Sequence, residues 1–163
     1  MPATYEKITT NTLGSAAATV TLTSIPATYT DLVLVIQTRN SATSNEVYGR
    51  FNSDTGSNYS FTQMTGNGTT AASGRLSNST TMRWSFSNDD FNNNAIIQIM
   101  NYANTTTYKT ALVRFNNVSQ ASAAVVNLWR STSAITSITL SNESATNFAV
   151  GATFTLYGIL KAA

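Results

Sequence analysis

The chain has 163 residues, enough for one domain that buries about two thirds of its unfolded surface and folds without covalent staples. It contains no cysteine and no histidine, which removes disulfides, thiolate metal sites, the commonest zinc ligand and the commonest general base. Only 10% of residues are charged, and Ser, Thr and Asn together supply about 40% of the chain where a typical domain carries a quarter charged residues.

The net charge of +2 comes from nine scattered basic residues with no run of three, so no electrostatic footprint for nucleic acid is present. The start, "MPATYEKITT", lacks a basic stretch followed by an apolar one and is not a signal peptide. The expectation is a protein made in a cytoplasm without a leader. The longest apolar run, Leu32 to Ile36, is too short to cross a membrane, so no membrane partner is expected.

In chain order the apolar period is two. Strands are predicted near 4–9, 17–25, 30–39, 45–52, 58–64, 80–87, 94–103, 107–117, 123–130, 135–141 and 152–160, of which eight to ten are expected to be real. "ATVTLTSI" sets Val20 and Leu22 against threonines. "DLVLVIQ" and "AIIQIM" are continuously apolar, as in a strand covered on both faces, either central in its sheet or with its outer face against another subunit. "TMRWSF" alternates Met82, Trp84 and Phe86 against Arg83 and Ser85. "KTALVRF" puts Ala111, Val113 and Phe115 on one face. Gly158 inside "TLYGIL" marks a bulge or a close backbone approach. No stretch carries a helical stripe. Antiparallel strands without crossover helices predict one all-β domain over 1–163, a sandwich or barrel. Residues 53–79, rich in Gly, Ser, Thr and Asn, read as a long polar loop or arm, either a plain surface excursion or a finger that meets a partner.

One stretch invites chemistry. "RFNSDTGSN" spaces Asn52, Asp54 and Asn58 around Gly56, the oxygen-bearing residues of a metal loop. Counted from Asn52, however, Gly56 is fifth and Gln63 is twelfth, where a calcium loop needs Gly sixth and Glu twelfth. Asn, Asp and Gly are also the residues that close turns, and that reading is preferred. Asp89 and Asp90 are adjacent and sit in a turn-like "FSNDDFNNN", so they make no acid/base pair. No Ser-x-x-Lys and no phosphate-cradling glycine loop is present, so no enzyme activity, cofactor or catalytic residue is expected. The six Asn-x-Ser/Thr sequences match the number that composition alone supplies, about five.

Trp129 is out of phase with Leu128, which suggests the opposite face of its strand. With Arg130 beside it, and Tyr59 and Phe61 at the foot of the arm, it forms the set of candidate partner contacts. An exposed set of Trp129, Tyr59, Tyr102 and Tyr108 would instead suit the binding of a glycan.

"TLGSAAATVTLTSIPATYTDLVLVIQTR", "RFNSDTGSNYS", "LWRSTSAITSITL" and "GATFTLYGILKAA", taken together, span nearly the whole chain. In combination they resemble small virion structural proteins of tailed bacteriophages, notably cyanophages and other aquatic phages. The resemblance implies a jelly roll that acts as a capsid cement or decoration protein on the outer capsid surface. It also implies a homotrimer, with the major capsid protein as its partner; the alternative is a tail or fibre module that binds a host surface glycan through those rings.

Overall fold

The computed structural model describes residues 4–39, 45–87, 93–117, 121–143 and 146–160. These fold as two antiparallel sheets laid face to face, the all-β sandwich that the alternation predicts. The strands are β1 (Tyr5–Thr12), β2 (Thr19–Leu22), β3 (Asp31–Thr38), β4 (Asn45–Phe51), β5 (Tyr59–Gly66), β6 (Ala71–Ser79), β7 (Met82–Ser87), β8 (Asn93–Ile99), β9 (Lys109–Asn117), β10 (Ala121–Trp129), β11 (Ile138–Asn142) and β12 (Thr153–Ile159). The larger sheet runs β1-β12-β3-β8-β9-β10-β5-β6 and the smaller β2-β11-β4-β7.

The pairing follows the jelly-roll rule. β2 pairs with β11, β3 with β8, β4 with β7 and β5 with β6, while β11·β4 and β10·β5 join those pairs into the two sheets. One departure widens the larger sheet: the meander β8-β9-β10 stands where a single strand would suffice, and β12 and β1 extend it beyond β3. The described residues therefore hold twelve strands, not eight to ten.

The strand absent from the sequence reading is β6. Residues 53–79 are a turn followed by the hairpin β5–β6, not a long loop or arm. β6 lies at the edge of the sheet with nearly every side chain in solvent, so nothing forces its sequence, "AASGRLSNS", to alternate. Its turn is closed by Asn67, whose Oδ1 accepts from the N–H groups of Thr69 and Thr70.

The core fills the space between the sheets. Leu32, Leu34 and Ile36 of β3, Ile97 and Ile99 of β8 and Phe154 and Leu156 of β12 face Val47 and Phe51 of β4, Trp84 of β7 and Ile138 and Leu140 of β11. Each of these eight-stranded-sheet residues alternates with one on the opposite face, as a pleat requires, and on β3 that opposite face is covered at Val33, 5% exposed, and open at Val35.

Three irregularities interrupt the ladders. The β4·β7 register slips so that Val47 faces Ser85 and Tyr48 faces Arg83, leaving Trp84 as the inserted residue. Both Trp84 and Ser85 then point inward, which the simple alternation of "TMRWSF" did not anticipate; the Phe86 side chain lies outside the described residues. Gly49 makes room for the indole, since a Cβ there would lie 2.2 Å from Trp84 Cε2. The β5·β6 register slips between Phe61↔Leu76 and Tyr59↔Ser79, with Asn78 at φ 56°. The β1·β12 register slips at Ile8. Gly158 causes no bulge; the Tyr29 ring occupies the space its Cβ would need, at 2.2 Å.

Candidate functional site

The residues that the sequence marks as chemical do come together, at the end of the sandwich where two connections cross between the sheets. One runs from β4 to β5 through 52–58, the other from β10 to β11 through 130–137. Asn52 and Ser53 both take the left-handed conformation, φ 51° and 54°, which turns the chain sharply after Phe51. The Asn52 amide then reaches across to the second connection. Its Nδ2 donates to Ala134 O at 2.8 Å, and its Oδ1 accepts from the N–H groups of Thr136 and Ser137.

Asp54 points the other way. Oδ1 accepts from Gly56 N–H at 2.8 Å, and Oδ2 accepts from Asn58 Nδ2 at 2.9 Å and from the Trp129 indole at 2.7 Å. Burial pushes its carboxyl upward, but the hydrogen bonds from Trp129, Asn58 and Gly56 outweigh burial and hold it below the ordinary 3.8. Asn52, Asp54 and Asn58 therefore do not converge on a common point. Asn52 Oδ1 serves the latch and both Asp54 oxygens the turn, to which Asn58 contributes its Nδ2, and among the described residues no group of three or more acidic side chains gathers elsewhere.

The candidate partner contacts form the floor of this turn. Trp129 is 2% exposed and stacks on Tyr59, with centroids 6.3 Å apart and planes at 14°, while Phe51 meets it edge-on at 5.6 Å. Tyr59 is fully buried; its hydroxyl accepts from Phe51 N–H at 3.2 Å, and burial raises its pKa above 10.0. Phe61 is buried too, beneath the Arg83 guanidinium at 4.9 Å. Arg130 is partly exposed but engaged: its Nη2 donates to Ser57 O and Asn78 Oδ1. Tyr59, Phe61 and Trp129 thus offer no surface to a partner. The phase of β10 explains why. Ala123, Val125 and Asn127 face inward and Trp129 follows them, while Leu128 is the outward one. The aromatic platform for a glycan goes with them, since Tyr102 is also buried and only Tyr108 of the four rings is exposed.

The feature with no role inside the domain is elsewhere. The outward positions of the larger sheet's middle strands carry Val35, Ile96, Leu112, Val126 and Met64, all at least one third exposed and Met64 70% exposed. Val35 lies opposite Ile96 in a row that continues through Arg114 and Ala124 to Met64, and Leu112 lies opposite Val126 in the next row, between Gln98 and Thr62, so the apolar residues form a two-row stripe with Arg114 at its middle. Ala124 lies between Arg114 and Met64 in register and leaves a dip, the floor of an open trough of about 620 Å³. A second hollow, about 280 Å³ and lined by Leu112, Gln98 and Val126, continues it. The signal was in the sequence: the unbroken runs "DLVLVIQ" and "AIIQIM" supply Val35 and Ile96.

Comparison with protein-family models, with curated proteins and with solved structures gave no match to the chain.

One group lay outside the sequence reading. Lys109 opens β9 at an inward position and is buried, its ammonium donating to Thr107 O at 2.8 Å and Thr132 O at 3.1 Å. It closes the loop before β9 onto the connection after β10, and burial lowers its pKa below 10.5.

Proposed function

We propose that this chain is a structural protein of a phage virion, a decoration or cement protein that sits on the outer capsid surface as a homotrimer and bridges major capsid subunits. The observation that carries this reading is the pairing of a fully self-satisfied polar cluster with a wide, uncovered apolar sheet face. Asn52, Asp54 and Trp129 are spent on holding two connections together, and the surface left for function is one suited to binding. A decoration protein needs a rigid domain and a contact face, not a reacting group, and the reading assigns no catalytic residue, metal or cofactor. The Ser/Thr/Asn surface supports it, because hydroxyls and amides form contacts without the cost of desolvating full charges. Three linked copies on one particle would add avidity, each bound copy placing the others near their sites.

The test is to make particles without the protein and heat them, and to image complete particles at side-chain resolution. Earlier capsid rupture in its absence, with the protein found between major capsid subunits, is the expected result. Unchanged capsid stability with the protein on the tail rejects it.

A further inference from the structure

We propose that the trough on the outer face of the larger sheet docks a segment of another protein that presents apolar side chains and a carboxylate, the carboxylate pairing with Arg114. This deepens the virion reading and rests on it only in taking the occupant to be a protein.

Three observations select that occupant. The first is the amount of apolar surface. Val35, Ile96, Leu112, Val126 and Met64 together leave roughly 400 Å² uncovered, the scale of the largest apolar patch on a single chain, which is often the functional one. The second is shape. The face dips at Ala124 between Met64 on one side and Ile96 and Arg114 on the other. A concave face is filled by something convex, an extended strand or a loop. A second copy applied about a two-fold axis would set hollow against hollow. The third is charge. Arg114 stands at the middle of the stripe and Arg75 at its β6 margin. Among the described residues, the outward positions of β8, β9, β10 and β5 hold no carboxylate, and Asp31 at the far end of β3 accepts from Asn101 N–H. The only ion pair among the described residues, Arg83 with Glu46, lies elsewhere. A copy applied about a two-fold axis through the trough would bring Arg114 toward Arg114, which opposes self-pairing there. An acidic segment would meet a guanidinium whose planar fork suits a carboxylate, beside apolar walls that strengthen the pairing relative to open water.

The experiment uses the full chain and a displayed library of random peptides. Binders are selected on the wild-type protein and measured by fluorescence anisotropy on three variants. Arg114→Glu changes an outward side chain of the trough and Val126→Asp one of the hollow that continues it, while Thr155→Asp changes the outward position beyond Val35, on the third strand from Arg114 and off the trough; each is first checked for an unchanged melting point. The expected binders carry Asp or Glu among apolar residues. They lose about tenfold or more in affinity on Val126→Asp and Arg114→Glu, and keep it on Thr155→Asp. On Arg114→Glu, replacing the peptide's acid with Lys restores binding. Binders that lack an acid, binders indifferent to both trough variants, or a library that yields no binder would each overturn the proposal. So would sedimentation showing a dimer of the free chain that Val126→Asp dissociates, which assigns the face to a second copy. The outcomes separate from the virion test. A chain that binds such peptides but sits on the tail removes the head reading alone, and a chain on the head whose trough binds none removes the docking alone.

Discussion

Replacing Asp54 with Ala separates a structural turn from a metal site. The substitution leaves three donors without their acceptor. Gly56 N–H and Asn58 Nδ2 lie where water can replace the carboxylate, but the Trp129 indole N–H is enclosed. A buried donor left unpaired costs about 1–3 kcal/mol, and a lost hydrogen bond to a charged acceptor is worth a similar amount. The two counts overlap, so the expected loss is about 3 kcal/mol, or about 6–12 °C in melting temperature for a chain of this size. Trp129→Phe removes the donor but keeps the ring against Tyr59 and Phe51. The double variant should therefore be about 1.5–2 kcal/mol more stable than the sum of the single losses predicts. Urea denaturation of the four proteins measures this. The acid limb gives a second readout. Asp54 has its pKa lowered in the folded state, so below 3.8 the unfolded chain takes up the proton first. Stability then falls as pH drops through the folded value, and Asp54→Ala flattens that fall. A loss below about 0.5 kcal/mol, or calcium raising the melting point of the wild type but not of Asp54→Ala, refutes the turn reading.

Gly49→Ala should cost at least about 3 kcal/mol, because its Cβ would lie 2.2–2.4 Å from three atoms of a fully buried Trp84 ring; Gly14→Ala, with nothing within 4 Å, should be neutral, and thermal melts compare the two. At the alkaline end, burial raises the pKa of Tyr29, Tyr48, Tyr59 and Tyr102 above 10.0, so the folded chain keeps protons that the unfolded chain releases. Stability should fall as pH climbs past 10. Lys109 acts in the opposite sense, its lowered pKa adding stability as pH rises toward 10.5, but one amine faces four phenols. Equilibrium unfolding between about pH 8 and 11, which spans the ordinary tyrosine range, records the net slope. Trp129→Ala should lower the melting point by more than about 5 °C and change no binding to a glycan array; loss of a glycan signal with the melting point intact would restore the sugar-binding reading.

Most of the sandwich was legible because its inner faces leave a period of two in the sequence. Ala111, Val113 and Phe115 all face the core as their spacing requires. Where the signal failed, the backbone had changed the count or the environment had removed it. The insertion at Trp84 turns two successive residues inward, and no rule of alternation contains that slip. β6 has water on both sides, so its side chains follow no period. The candidate site was found by residue type: the turn reading of Asn52 and Asp54 holds, while Tyr59 and Trp129 were misread as partner contacts, and only the fold shows that the polar atoms of all four are consumed by one another and by the backbone. The trough was visible only as an excess of apolar residues in β3 and β8, since its Arg114 and Ala124 are ordinary strand residues until pairing sets them side by side.

Each sheet ends in a strand with one side unpaired, and such borders invite other chains to add on. This chain has few charges with which to guard them. The guards are geometric: register slips fall on the outermost pair at β1, at β6 and at β7, and the remaining border, β2, is only four residues long. A slipped or truncated border cannot template a long straight ladder, so the molecule can be crowded at high copy number without zippering into fibrils, and added salt, which silences charge-based protection, leaves this kind untouched.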